Sequence, residues 1–337
     1  MNLAPDSKSA RAGAARVRGA GRPRVSDVTE RFGLVVAWVI VIAIFGILEP
    51  RTFLTQANFA TIFGSQAVLL VLTLGALIPL TAGDYDLSIA GVLTLSSMVV
   101  AILNVNSGWP IGVAILAALA VGAATGAVNG IIVTFFGIDS LIVTLGTGTI
   151  LGGIVLWISN SNTISGVSTT LVDLVVGQRF LGISLEFYYG VALAVLLWYL
   201  FEYTALGRRL LFVGRGRSVA RLSGLHVQRL RIGAMMASGT ISAAAGVLYV
   251  GTIGGADPTS GLQFLLPSFA AAFLGATAII PGRFNPWGSL VAVYFLVTGI
   301  TGLTLLGVQS FVQNLFYGGA LVVAVVLSQI ARRRAQI

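Results

Sequence analysis

Ten apolar stretches separated by short polar breaks run near residues 33–48, 63–81, 89–103, 111–134, 141–158, 185–201, 232–252, 265–280, 288–305 and 311–330. The longer ones reach the ~20 residues a helix needs to cross a bilayer. The pattern predicts an all-α polytopic membrane protein of about ten spans. Residues 1–31 are rich in Ala, Gly, Arg and Ser with no apolar period, which predicts a disordered basic tail. Residues 32–331 then form the membrane domain, with a basic loop at 202–231 inside it, and residues 332–337 form a basic C-terminus. Two blocks of four spans, two to five and seven to ten, flank that loop, and they begin from opposite faces. Each has a polar, glycine-containing break after its first span: Ala82-Gly83-Asp84-Tyr85-Asp86 in one, Gly254-Gly255-Ala256-Asp257-Pro258 in the other. That is the parity of an inverted-topology repeat, a transporter signature.

Charge orients the bundle. Between Thr52 and Gly207 the single basic residue is Arg179; seven arginines then fall within the 24 residues from Arg208 to Arg231. With ten spans, 18 of the 20 Lys and Arg residues share one side, and only Arg51 and Arg179 lie on the other. The positive-inside rule makes the rich side cytoplasmic, so both termini and the 202–231 loop are expected there. An odd count would put the tail or Arg332, Arg333 and Arg334 on the wrong side. Among the outer loops only 159–184 is long, and its Ser, Thr, Asn and Gly suit either a solvated connector or a surface for a soluble partner.

Composition removes several chemistries. Charged residues are 9% of the chain, against ~25% in soluble domains, and 42 glycines suit close helix packing. The chain has no cysteine and one histidine, His226, which excludes disulfides, thiolate metal sites and His clusters. Lys8 is the only lysine and no GxxxxGK[ST] loop exists, so the chain is not its own P-loop ATPase. There is no credible nucleophile–base pair, and the chain is not expected to be an enzyme.

Three constellations remain. The first holds Asp84, Tyr85, Asp86 and Ser88 between two apolar spans. Acids there are costly unless solvated, paired or capping a helix. Asp86 suits an N-cap for a helix starting near Leu87, and both acids suit a solute path. The second runs from Gly122 to Gly153. Its glycines, Gly126 and Gly130 among them, allow close helix approach, while Thr144 and Thr147 can bond the carbonyl four residues back. Asn129 needs a partner or a wet cavity. The third is the basic loop: Thr204, Gly207, Arg208, Arg215, Arg217, Arg221, Ser223 and Gly224. Topology and attraction to anionic lipid account for its charge. It is longer than orientation requires, and Ser218–Leu222 is predicted to form a short helix capped by Ser218 and ended by Gly224. Such a helix, rimmed by arginine, suits an acidic groove on a partner protein. Phe212 alone is too little aromatic surface for stacking on nucleic acid, which is not an expected partner.

Gly83 before Asp86-Leu87-Ser88, the pair Asn129-Gly130, Thr144-Leu145-Gly146-Thr147, and Thr204-x-x-Gly207-Arg208 followed by Ala220-Arg221-Leu222-Ser223-Gly224 occur in that order. The ordered set, spanning about residues 50–330, resembles the ribose/xylose/galactoside-type permeases of bacterial ABC importers. The resemblance implies a second permease copy, as homodimer or heterodimer, that completes the pathway. It also implies an ABC ATPase subunit docked on the loop after span six, which would bind the ATP, and a periplasmic binding protein that delivers sugar. Thr204 to Gly224 would then be the coupling segment, and Gly83–Ser88 with Thr144–Thr147 would lie at or near the pathway. This chain departs from the family pattern where Asp84 replaces a usual second glycine, where Ile89-Ala90 replace Val-Gly, and in the turn from Gly275 to Arg283.

The reading is therefore the permease subunit of an ABC importer for a monosaccharide or similar small polyol, multi-pass in the bacterial plasma membrane and without a cofactor of its own. A permease for branched-chain amino acids or nucleosides is the rival of like architecture. An ion-coupled secondary transporter is the rival of another class; it would need a relay built from Asp84, Asp86 and Asp139.

Overall fold

The computed structural model describes residues 25–335, so residues 1–24 of the expected tail lie outside the described residues, while residues 25–31 already belong to the first helix. Fourteen α-helices follow: α1 (Val25–Leu48), α2 (Gln56–Gly64), α3 (Ala67–Thr81), α4 (Ile89–Ala101), α5 (Ile111–Phe135), α6 (Ser140–Ile158), α7 (Thr169–Val172), α8 (Leu185–Tyr203), α9 (Ala205–Arg215), α10 (Arg217–Leu222), α11 (Val227–Ile253), α12 (Leu262–Gly275), α13 (Pro286–Leu305) and α14 (Ser310–Ala335). Extended pairing among the described residues is limited to Ile164–Ser165 against Gly255–Ala256 and Arg179–Phe180 against Ile183–Ser184.

Among the described residues, nine segments are long and apolar enough to cross a membrane, with α2 and α3 counted together as one 26-residue run. The span expected at 265–280 is shorter than the hydropathy pattern suggests. Helix α12 has 14 residues, roughly 21 Å of rise, short of the ~30 Å hydrocarbon core. Its flanks complete the passage. At one end Gly255 and Ala256 pair with the loop that follows α6. At the other, the Ile279 N–H donates to the Arg31 carbonyl at 2.9 Å, and Arg283 meets Glu202 at the end of α8 at 3.0 Å. Irregular backbone at membrane depth survives only where protein covers it, and Gly255, Ala256, Ser260, Gly261, Ala276 and Ala278 of these flanks are buried.

Helix α3 is the axis of the bundle: all 15 of its residues are buried, as an all-round apolar helix requires. It packs against α8, α11, α12 and α13. The most extensive helix–helix contact is between α5 and α11. Gly122, Gly126 and Gly130, one turn apart, share a face; a methyl on Gly130 would stand 2.8 Å from the Ile232 Cα, and one on Gly126 would overlap the Met235 carbonyl. Gly239 returns the relation against the Gly122 carbonyl. The seam is the small-residue packing that membrane helices use where burial against lipid gives no drive. Helix α4 packs with α5 and α6, and α12 packs with α13 and α14, so the two halves share a three-helix arrangement.

The basic loop is mostly helical. Residues 205–215 and 217–222 form α9 and α10, leaving only brief turns before α11 begins at Val227. Gly216, not Ser218, occupies the cap position of α10, and Gly224, at φ +81°, follows its end.

Candidate functional site at the turn after the central helix

The end of α3 sets the site. The Gly83 N–H donates to Leu80 O at 3.2 Å and the Asp84 N–H to Pro79 O at 2.9 Å. With Gly83 at φ +80°, this is a Schellman closure, which demands a residue without a Cβ at that point. The chain then turns sharply, and two carboxylates two residues apart meet different surroundings.

Asp84, 2% exposed, is held by charge. Arg231 on α11 grips it with both prongs, Nε to Oδ2 at 2.6 Å and Nη2 to Oδ1 at 2.6 Å. Arg217 at the start of α10 adds Nη2 to Oδ1 at 2.8 Å and donates to the Gly83 carbonyl at 2.7 Å. Bidentate guanidinium–carboxylate contacts are the strong, geometrically specific kind. Gly214 at the end of α9 lies so close that a methyl there would overlap the Thr81 carbonyl. The segment that carries the arginines is thus clamped on the end of the central helix. A cavity of about 480 Å³ beside the clamp is lined by Asp84, Arg217, Arg221, Arg231 and Asp139. Asp139 also caps α6, accepting from the Leu141 N–H at 2.8 Å.

Asp86, 1% exposed, is held by neutral donors. Its Oδ1 accepts from the Ser88 N–H at 3.1 Å and from Ser88 Oγ at 2.6 Å, and its Oδ2 from Ser238 Oγ on α11 at 2.8 Å. Asn129 Nδ2 on α5 donates to Ser88 Oγ at 2.9 Å, and Thr147 Oγ1 on α6 donates to Asn129 Oδ1 at 2.7 Å. One continuous chain of polar groups therefore links the turn to α5, α6 and α11. Thr144 binds the turn backbone, accepting from the Leu87 N–H at 2.9 Å and donating back to the Ser140 carbonyl at 2.8 Å. Tyr85 stacks on Phe273 of α12, with ring centroids 6.4 Å apart.

Of the residues singled out in the sequence, Asp84, Tyr85, Asp86, Ser88, Asn129, Thr144 and Thr147 all converge on this turn. Thr147 bonds Asn129 rather than a carbonyl four residues back. Helix α4 starts at Ile89 rather than near Leu87, with Ser88 at the cap position; Asp86 supplies the backbone acceptor from just before it. In the segment expected to couple, Thr204 caps α9 by accepting from the Gly207 N–H at 3.2 Å, and Gly207 approaches the Phe201 Cα so closely that a methyl would stand 2.5 Å away. Arg208, Arg215 and Arg221 take no part in the three ion pairs among the described residues, and the Ser223 hydroxyl donates to the Val219 carbonyl at 2.9 Å. Arg231 and Ser238 escape the sequence reading. Arg231 is the last charge before an apolar run and passes for a topology signal. Glu186, 2% exposed, also escapes, because it stands at the edge of a span where acids are ordinarily solvated.

The permease component family of branched-chain amino acid transport systems matches residues 58–325. The chain belongs to this family. The D-allose transport system permease protein AlsC of Escherichia coli K12 is 31% identical over 89% of this chain and 92% of its own. The ribose import permease protein RbsC of Bacillus subtilis 168 is 32% identical over 91% of this chain and 95% of its own. The L-arabinose ABC transporter permease protein AraH of Azospirillum brasilense is 28% identical over 95% of this chain and 92% of its own. No solved structure matches. The protein is a multi-pass membrane permease.

Proposed function

We propose that this chain is the membrane-spanning subunit of an ATP-driven importer for a monosaccharide or similar small polyol. A second permease copy completes the pathway, an ATPase subunit that binds the ATP docks on Thr204–Gly224, and a periplasmic binding protein presents the solute. The subunit sits in a bacterial plasma membrane with both termini cytoplasmic. Full-length similarity to permeases named for allose, ribose and arabinose favours a sugar over an amino acid. The observation that carries the coupling is the clamp: Arg217 of α10 holds Asp84 at 2.8 Å, so displacement of the coupling segment pulls directly on the end of the central helix. A shift between inward- and outward-open states needs an element that the partner can bias from one side, and this clamp would pass that bias to the central helix. Ion coupling is not favoured, since of the three acids a relay would need, Asp84 is neutralised by two arginines and Asp139 caps α6, which leaves Asp86 alone.

The test is uptake into proteoliposomes holding the permease, its ATPase and its binding protein, with D-allose, D-ribose, L-arabinose and L-leucine offered in turn. ATP-dependent uptake of a sugar, unaffected by ionophores, is expected. Uptake of leucine alone, or uptake abolished by ionophores with ATP present, would refute the reading.

A further inference from the structure

At the end of the bundle opposite the coupling segment, a cavity of about 420 Å³ lies between α2, the Arg179–Ser184 hairpin and the adjoining ends of α8 and α11. That size falls within the ~300–1,000 Å³ of small-molecule sites. Glu186 lines it, 2% exposed. Ser184 Oγ donates to Oε1 at 3.1 Å, and Thr252 Oγ1 lies 2.8 Å from Oε2. Thr252 has one proton, and the Leu248 carbonyl, 2.9 Å away, competes for it. A carboxylate offers about four lone-pair positions, so these contacts leave Glu186 with unused acceptor capacity in a place where an acid is costly without a role. No arginine pairs with it among the described residues.

The remaining wall supplies complementary groups. Arg179 lines the same cavity and carries five N–H donors. Ser65 Oγ donates to the Thr61 carbonyl at 2.8 Å and accepts from Gln66 Nε2 at 3.2 Å, which leaves it one further lone pair as an acceptor. Gly64 keeps the space open: a methyl there would stand 2.5 Å from Ser184 Oγ and 3.5 Å from Glu186 Oε1. A buried carboxylate beside a guanidinium and hydroxyl acceptors suits a ligand whose neighbouring hydroxyls both donate and accept. No cluster of three metal-ligating acids or imidazoles exists among the described residues.

The geometry points to a monosaccharide subsite in this cavity, in which Glu186 accepts from two adjacent sugar hydroxyls and Arg179 donates to a third oxygen. It rests on the import reading, which places this end outside, where solute would arrive. The absence of native cysteine permits a direct test. A Ser65→Cys variant of the full chain in lipid nanodiscs is labelled with an impermeant thiol reagent in the presence of D-allose, D-ribose, L-arabinose or L-leucine. At roughly ten times the dissociation constant, occupancy slows labelling about tenfold. At least one sugar is expected to protect, leucine is not, and Ser168→Cys is expected to label equally in all conditions. Adding Glu186→Gln should leave the labelling rate intact and abolish protection; Arg179→Gln, on the exposed hairpin, should weaken protection even if the first variant folds poorly. Protection by none of the sugars, or protection that survives both variants, overturns the subsite. Sugar uptake without protection sinks the subsite alone, whereas protection without uptake upholds it and sinks the import reading.

Discussion

Replacing Asp84 with alanine strips one carboxylate from two guanidiniums of unequal burial. The Arg231 side chain is 11% exposed and that of Arg217 is 43% exposed. Removing one partner of a buried pair leaves an uncompensated charge and costs ~3–5 kcal/mol, whereas a half-exposed, solvent-screened pair contributes ~1 kcal/mol at most. Asp84→Ala is therefore expected to lose ~3–5 kcal/mol, nearly all through Arg231. In double-mutant cycles the Asp84–Arg231 coupling should exceed the Asp84–Arg217 coupling by about 2 kcal/mol. Unfolding in mixed detergent micelles, followed by tryptophan fluorescence, reads both. Arg217→Ala should instead leave stability within ~1 kcal/mol and lower sugar uptake per ATP hydrolysed, because Arg217 ties α10 to the turn. The ribose-type pattern has glycine at this position, so resemblance alone would make Asp84→Gly harmless; the two guanidiniums make it damaging. A loss below ~1 kcal/mol in Asp84→Ala, or equal coupling to both arginines, would refute the reasoning.

Asp86→Asn should retain most uptake, since Asn can accept from the Ser88 N–H and donate to Ser238 Oγ; Asp86→Ala leaves buried hydroxyls unpaired at ~1–3 kcal/mol each. Equal and complete loss in both, with normal membrane abundance, would instead assign the charge itself a role. Gly126→Ala drives a methyl into the Met235 carbonyl and should cost at least ~1–3 kcal/mol in the same unfolding assay, whereas Gly152→Ala, with open space around it, should be neutral. Cysteine at Ser218 should resist an impermeant reagent applied outside intact cells, while cysteine at Ser168 labels. Asp257 has its carboxyl held below the usual range, first by the Thr259 hydroxyl and then by the Thr259 N–H. Its contribution is thus complete above the ordinary value of ~3.9 and is lost as pH falls through the depressed folded value, so amide protection of residues 254–261 should hold from pH ~7 to ~5 and fail only below ~4.

The spans were legible because lipid imposes a length and a composition that no soluble fold shares. Helix α12 marks where hydropathy misleads. Residues 276–281 are apolar enough to extend the run, yet the backbone turns there, with Ile279 at φ +61°; hydropathy counts side chains and is blind to direction. Helix α9 was hidden for the opposite reason. Arg208, Arg209 and Arg215 dominate its composition, while the buried set Gly207, Leu210 and Val213, spaced by three, reveals the helical face. Asn129 was found because an amide in a span requires partners, and it has two. Its bond to Thr147 was not, since facing helices are not encoded in spacing. Nor does any local rule place Arg231 on Asp84 across 146 intervening residues, because that meeting depends on α11 lying along α3.

The two acids of the turn divide rigidity from adjustment. An ion pair held at 2.6 Å by both prongs of Arg231 resists rotation, so the turn, α10 and the start of α11 move together. Asp86 is joined to Ser88 and Ser238 by hydroxyls, and onward to Asn129 and Thr147; hydroxyls rotate and exchange partners with little loss as long as each remains bonded. The glycine seam then leaves α5 and α11 no room to slide past each other. With α4 and α6 joined to the same polar chain, these four helices would move together in the proposed importer. The boundary that would yield then lies on the other side of α3, toward α12, where a helix of 14 residues meets the core between two irregular flanks. In the proposed importer, a pull on Arg217 would shift the four helices against α12–α14 rather than distort them, and Tyr85, stacked on Phe273, would stand at that contact.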